Sequence, residues 1–133
     1  MKRIMIGGFA VLALAYAAPA SAQETPATKT YDVDSGKAKA GAKVFNTKGC
    51  SGCHTIGKGR LAGPDLAGLL ERRDVAWVQK WLHDPAPMFE SDSTAKAMLA
   101  EYKGVKMPNM KLTDDQIEQL IHFMVEQGQK AKK

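Results

Sequence analysis

Apolar residues along this chain recur three and four positions apart, the spacing of one helix face, and rarely alternate as they would in a strand. The C-terminal stretch is plainest: Ile117, Leu120, Ile121 and Met124 fall at i, i+3, i+4 and i+7. Before them, Thr113-Asp114-Asp115-Gln116 reads as a capping box, with acidic residues at the positive end of the helix dipole. Gly128 reads as the C-cap, which leaves residues 129–133 to fray. Nearer the start, Ala38, Ala42 and Phe45 give a weaker apolar face to a helix over residues 36–48, capped by Ser35. Gly41 lies on the same side as Phe45, where its expected use is close approach by another helix. Asp74 caps a helix bearing Val75, Val78 and Leu82, with Trp77 and Trp81 one turn apart, and Asp84-Pro85-Ala86-Pro87 ends it. A short helix is expected from Ser93 or Thr94 to Tyr102. Residues 55–73 form a loop around Gly63-Pro64-Asp65-Leu66, with one helical turn near residues 66–70. Residues 103–112 form another, containing Met107-Pro108-Asn109-Met110. No strand or internal repeat is expected, so the fold class is all-α.

The N-terminus adds an address. Met1-Lys2-Arg3 precedes an apolar run from Ile4 to Ala18 and an Ala20-Ser21-Ala22 site, the layout of a secretory signal peptide. An uncleaved anchor is the competing reading, but the run is short for a bilayer. The expected organisation is a signal over residues 1–22, a polar flexible leader over 23–34, one helical domain over 35–128 and a disordered tail over 129–133. With 133 residues and a formal charge of +5, the chain is a single small domain with a modest core. Its lysines are dispersed and not interleaved with aromatic residues, which argues against a nucleic-acid surface.

The chemistry concentrates in Cys50-Ser51-Gly52-Cys53-His54. This C-x-x-C-H spacing is the attachment sequence of c-type haem: two thiols can each join a vinyl group, and the next residue is placed as an iron ligand. With two cysteines and three histidines in the whole chain, chance produces the motif in roughly 3 of 10,000 shuffles, so it calls for a chemical explanation. A thioredoxin-like pair would follow a strand in a βαβ unit, whereas the residues before Cys50 read as helix. Structural zinc would need a second ligand pair, and His83 and His122 stand alone. A plain disulfide would not call for His54.

At this point the chain resembles the class I c-type cytochromes, over most of residues 35–128. The resemblance rests on Gly41 and Phe45 ahead of the Cys50–His54 motif, the Gly63-Pro64-Asp65-Leu66 loop, Met107-Pro108, and the terminal helix with Leu120 and Phe123. It implies a cytochrome c fold of four to five short helices around one haem c, covalent through Cys50 and Cys53. Its first and last helices would cross at Gly41 and Phe45 against Leu120 and Phe123. It implies His54 and a methionine as iron ligands, Met107 being favoured over Met110 because the family's ligand directly precedes proline. Met88, Met98 and Met124 read as core or gap-filling residues. It implies the Pro64 carbonyl as acceptor for the His54 imidazole, and Arg72 or Arg73 and Trp77 or Trp81 as partners of the haem propionates. Histidine ligation by His83 or His122 is the alternative, though solvated or capping roles suit both better.

The function implied is a non-enzymatic, monomeric periplasmic electron carrier between respiratory or denitrifying redox proteins, including terminal oxidases, reductases or quinol-oxidising complexes. It is expected neither to bind nucleic acid nor to stay in a membrane. Lys48, Lys58, Lys103, Lys106 and Lys111 would meet acidic partner surfaces through salt-sensitive contacts. The alternatives are a haem-based sensor or peroxidase-like protein with a labile sixth ligand, or a subunit docked on a larger redox complex.

Overall fold

The computed structural model describes residues 31–133, so the expected signal and the leader as far as residue 30 lie outside the described residues. Among the described residues six helices follow in order: α1 (Ser35–Thr47), α2 (Leu69–Arg72), α3 (Val75–His83), α4 (Ala86–Ser91), α5 (Ser93–Glu101) and α6 (Asp114–Ala131). A single 3-10 turn, Cys50–Gly52, sits between α1 and α2. Among the described residues there is no strand, and the fold is all-α.

Side-chain caps start four of these helices. Asp34, rather than Ser35, caps α1 by accepting the Lys37 N–H at 2.8 Å. Asp74 accepts the Trp77 N–H at 2.7 Å and Asp92 the Ala95 N–H at 2.8 Å. Thr113 and Gln116 exchange the two bonds of a capping box at 3.2 and 3.1 Å. Asp84-Pro85-Ala86-Pro87 ends α3 and also opens α4, which the sequence reading missed. A proline in the first helical turn loses only an N–H that has no intrahelical partner there.

Helix α6 runs through Gly128 to Ala131, so Gly128 is not its cap and the tail is helical for most of its length. Gly128 is there for space: a Cβ would lie 3.1 Å from the Gly68 nitrogen. The last turn also meets the 55–65 loop, where a Cβ on Gly57 would strike Ala131, and Lys132 pairs with Glu71 of α2.

The core forms where α1 crosses α6. A Cβ on Gly41 would fall 2.0 Å from the Gln119 carbonyl oxygen and 2.8 Å from Phe123 Cβ, so only glycine permits this approach. The Phe45 and Phe123 rings meet at 5.3 Å beside buried Leu120. Val44, Phe45, Val78, Leu82, Ile117, Leu120, Ile121 and Met124 form one buried cluster. Trp81, Met88, Phe89 and Ala95 form a second among α3, α4 and α5. Burial of side chains this size contributes about 1.5–3 kcal/mol each, more than helices this short gain from propensity.

The end of the leader is held rather than flexible. Buried His122 accepts the Asp34 N–H at Nδ1, 3.1 Å away, and its Nε2 lies 3.5 Å from the Tyr31 hydroxyl. His122 is therefore neither solvated nor a cap, but an anchor for the chain entering α1.

Candidate functional site

Gly49, at φ +73°, turns the chain out of α1 into the 3-10 turn that carries Cys50. The Cys50 carbonyl accepts the N–H of Cys53 at 3.1 Å and of His54 at 2.9 Å, which places His54 after the turn. The chain then doubles back: Gly63 N–H donates to the Cys53 carbonyl at 2.7 Å, and Leu66 N–H to the Thr55 carbonyl at 2.8 Å. This brings the Pro64 carbonyl 2.9 Å from His54 Nδ1. With Nδ1–H donating there, the Nε2 lone pair is left for a metal. Gly63 lies against the ring, where a Cβ would come 2.5 Å from His54 Cε1.

Asp65 organises this loop, a role the sequence reading did not assign. Its carboxylate accepts the N–H groups of Gly57 and Ala67 at 2.8 Å each and of Gly59 at 2.5 Å, with the Thr55 hydroxyl at 3.2 Å. Burial pushes this carboxyl up, but the Gly57, Ala67 and Gly59 N–H groups and the Thr55 hydroxyl outweigh it and hold the pKa at about 2.

Met107 belongs to the loop before α6. Its sulfur accepts the Trp81 indole N–H at 3.1 Å. Lys48 Nζ reaches the Met110 and Lys111 carbonyls at 3.1 and 3.3 Å, and the Asn109 side chain accepts the Lys111 N–H at 2.9 Å. Lys111 takes φ +51°, a left-handed conformation that costs a non-glycine residue about 1–2 kcal/mol, so these bonds hold an otherwise unfavoured turn.

Cys50, Cys53, His54, Pro64, Trp77, Trp81 and Met107 all line one cleft. Met110 lies outside its lining and packs on the core instead. Met98 and Met124 also reach the cleft. Met88 is buried in the second cluster.

The propionate assignments fare worse. Arg72 is committed to the Ala67 and Asp65 carbonyls at 2.6 and 2.8 Å. Arg73 binds the Arg72 carbonyl at 2.6 Å and stands over the Trp77 ring. Neither lines the cleft. The Trp77 N–H goes to Asp92 at 3.1 Å, and the Trp81 N–H to Met107. The resemblance offered Arg72 or Arg73 and Trp77 or Trp81 to a propionate; of the four, the two tryptophans line the cleft.

The donor set suits a haem. It offers an imidazole with a free Nε2, a thioether, and two cysteines three positions apart that are not joined to each other. The cleft walls are mostly hydrocarbon and aromatic, as a large flat macrocycle requires. Competing chemistries fit less well. Burial pushes the Cys50 thiol above its ordinary pKa, opposite to a reactive redox thiol. Among the described residues, no three His, Cys, Asp or Glu side chains gather to hold a metal ion.

An all-helical chain folded around such a cleft, with this donor set, is a c-type cytochrome in architecture. The cytochrome c family profile matches residues 38–127, and the chain belongs to that family. Membership brings haem as the cofactor. Cytochrome c of Guizotia abyssinica is 37% identical, covering 40% of this chain and 63% of that protein. Cytochrome c of Gossypium barbadense is 52% identical over 29% of this chain and 35% of its own. The chain thus spans less than two thirds of the length of the curated relatives it matches. Among solved structures, cytochrome c from Rhodothermus marinus superposes with TM-score 0.69 at 25% identity, covering 74% of this chain and 83% of that one. The cytochrome c domain of a Pseudomonas putida protein superposes with TM-score 0.59 at 35% identity, covering 67% and 88%.

Proposed function

We propose that this chain is an exported electron carrier. It would hold one haem c through Cys50 and Cys53, with His54 and Met107 as iron ligands, and pass single electrons between periplasmic respiratory or denitrifying redox proteins. The observation that carries the reading is one apolar cleft lined by both cysteines, Met107, and a His54 whose Nδ1 is pinned to the Pro64 carbonyl. When bound, the haem supplies an iron that exchanges one electron between its ferric and ferrous states.

The chain's own residues do the rest. The Pro64 carbonyl fixes the imidazole tautomer and raises its basicity. Phe45, Leu82 and Leu120 keep water from the cleft wall. With His54 and Met107 on the iron, no coordination site stays open for a substrate, which favours a carrier over an enzyme. Exposed Leu61 and Val105, near Lys58, Arg60, Lys103 and Lys106, suit brief docking on acidic partners.

The test is absorption of the exported, haem-loaded protein, ferric and ferrous, with and without carbon monoxide. Low-spin spectra indifferent to carbon monoxide are expected. Ready carbon monoxide binding would overturn His/Met ligation in favour of a ligand-binding haem protein. Electron transfer to an acidic partner should slow as ionic strength rises.

A further inference from the structure

We infer that Asp65 is a positioning residue for His54: its carboxylate is the internal anion around which the 55–59 loop closes, and that closure keeps the Pro64 carbonyl on the imidazole. The inference rests on the reading of His54 as an iron ligand. The carbonyl that accepts from His54 Nδ1, 2.9 Å away, belongs to the peptide joining Pro64 to Asp65. Whatever fixes Asp65 therefore fixes the direction of that carbonyl.

Asp65 is held from two sides. Its Oδ1 accepts the Gly57 and Ala67 N–H groups at 2.8 Å each, and its Oδ2 accepts the Gly59 N–H at 2.5 Å. Gly57 and Gly59 stand at φ +80° and +85°, which L side chains rarely adopt, and both aim their N–H groups at the one carboxylate. Converging backbone N–H groups carry partial positive charge and form a concavity for an anion. Here the chain supplies the anion itself. On the other side, Arg72 donates to the Asp65 carbonyl at 2.8 Å and to the Ala67 carbonyl at 2.6 Å. The bonds from Gly63 N–H to Cys53 and from Leu66 N–H to Thr55 bring the segments together, but neither engages the Pro64–Asp65 peptide. Its orientation falls to Asp65.

The consequence is electronic. A carbonyl held on Nδ1–H makes the imidazole a stronger donor at Nε2. A stronger donor favours ferric iron and so lowers the reduction potential. The carboxylate's negative charge acts in the same direction. Asp65 thus tunes the iron through Pro64 and His54.

The test uses the haem-loaded protein. In ferrous wild type the His54 ring protons should show the large ring-current shifts of a ligand lying over the macrocycle. Their absence would overturn His54 ligation, and this inference with it. With those shifts present, Asp65→Ala should speed solvent exchange of the His54 Nδ1 proton about three- to tenfold, the scale of one weakened hydrogen bond, and raise the reduction potential. Sodium formate, a carboxylate small enough for the emptied loop, should reverse both changes, whereas sodium chloride at equal ionic strength should not. A variant that melts earlier but keeps the wild-type exchange rate and potential would reduce Asp65 to a structural residue and overturn the inference. A raised potential with unchanged Nδ1 exchange would overturn it too, because the charge would then act through space alone. Formate without effect on a perturbed variant would overturn the anion-holding role of the loop. Should Asp65→Ala not fold, Asp65→Asn keeps the shape, drops the charge, and is read by the same exchange rate and potential.

Discussion

The loop that carries His54 and the loop that carries Met107 border the same cleft, yet a dense hydrogen-bond network holds the first, while the second rests on packing and a few hydrogen bonds. Around His54, one carboxylate gathers three backbone N–H groups and a hydroxyl, and a carbonyl pins the imidazole. Around Met107, a stacked indole pair and one lysine do most of the holding. Directional bonds fail sharply when a partner is lost, while packed side chains give way by degrees. The His54 loop should therefore be intolerant of substitution, and the Met107 loop the one that opens first.

The largest effect expected is at Gly63. In Gly63→Val the first side-chain carbon already falls 2.5 Å from His54 Cε1, so either the imidazole or the loop must move. A loss of about 3 kcal/mol in stability is expected, together with a disturbed low-spin ferric spectrum. Denaturant unfolding and electron paramagnetic resonance check it. A variant as stable as wild type, with the same spectrum, would break the contrast between the loops.

Next comes Asp65, where the contrast acquires a pH dependence. Its folded pKa of about 2 lies below the ordinary 3.8, so the unfolded chain takes up the proton first. The carboxylate's contribution is therefore full above about pH 4 and is lost as pH falls through about 2. Asp65→Asn should flatten stability across that window, and Asp65→Ala should cost about 1–2 kcal/mol once solvent screening is allowed for. Melting curves from pH 2 to 7 read both. An Asp65→Asn protein as acid-sensitive as wild type would show that other carboxylates set the acid limit.

The sequence made one half of this contrast much plainer than the other. The cysteine pair, His54 and the Gly63-Pro64 turn are contiguous motifs, and Gly41 with Phe45 announced the α1–α6 crossing. The start of α6 was legible because its capping box is a local signal. The end of α6 was not. Gly128 carries the residue type of a cap, but it serves close approach to Gly68, which only the tertiary fold reveals. The partners of Arg72, Trp77 and Trp81 were hidden for a related reason. Their donors go to Asp65 and Ala67 carbonyls, to Asp92 and to a thioether, all brought near by folding. The helix α4 was hidden because its prolines serve as both stop and start.

A smaller effect is expected on the Met107 side. Lys48→Ala removes two bonds to the Met110 and Lys111 carbonyls, which brace the strained Lys111 turn. A cost of about 0.5–1 kcal/mol is expected, with imidazole entering the ferric protein faster while the His54 loop stays unaltered. Stopped-flow mixing reads the rate, and amide hydrogen exchange at Gly57 and Gly59 reads the His54 loop. Equal loosening of both loops would show that they open as one unit.

The smallest effect should come from Arg60, which links the two sides at the cleft mouth. Its guanidinium lies 4.0 Å from the centre of the Tyr102 ring, donates to the Glu101 carbonyl at 3.0 Å and sits 3.6 Å from the Glu101 carboxylate. Arg60 leaves the Asp65-ordered loop and reaches the end of α5, from which the chain enters the Met107 loop. Because these groups are half exposed, solvent screens the pair, and Arg60→Ala should cost less than about 1 kcal/mol in stability. The kinetic signature is more informative than the energy. If the strap restrains the Met107 loop against the rigid one, wild-type imidazole binding should quicken with added salt as the Arg60–Glu101 attraction is screened. The Arg60→Ala rate should be faster and nearly salt-independent. A salt dependence that survives in Arg60→Ala would assign it to charges elsewhere, and leave the Met107 loop restrained by Trp81 and Lys48 alone.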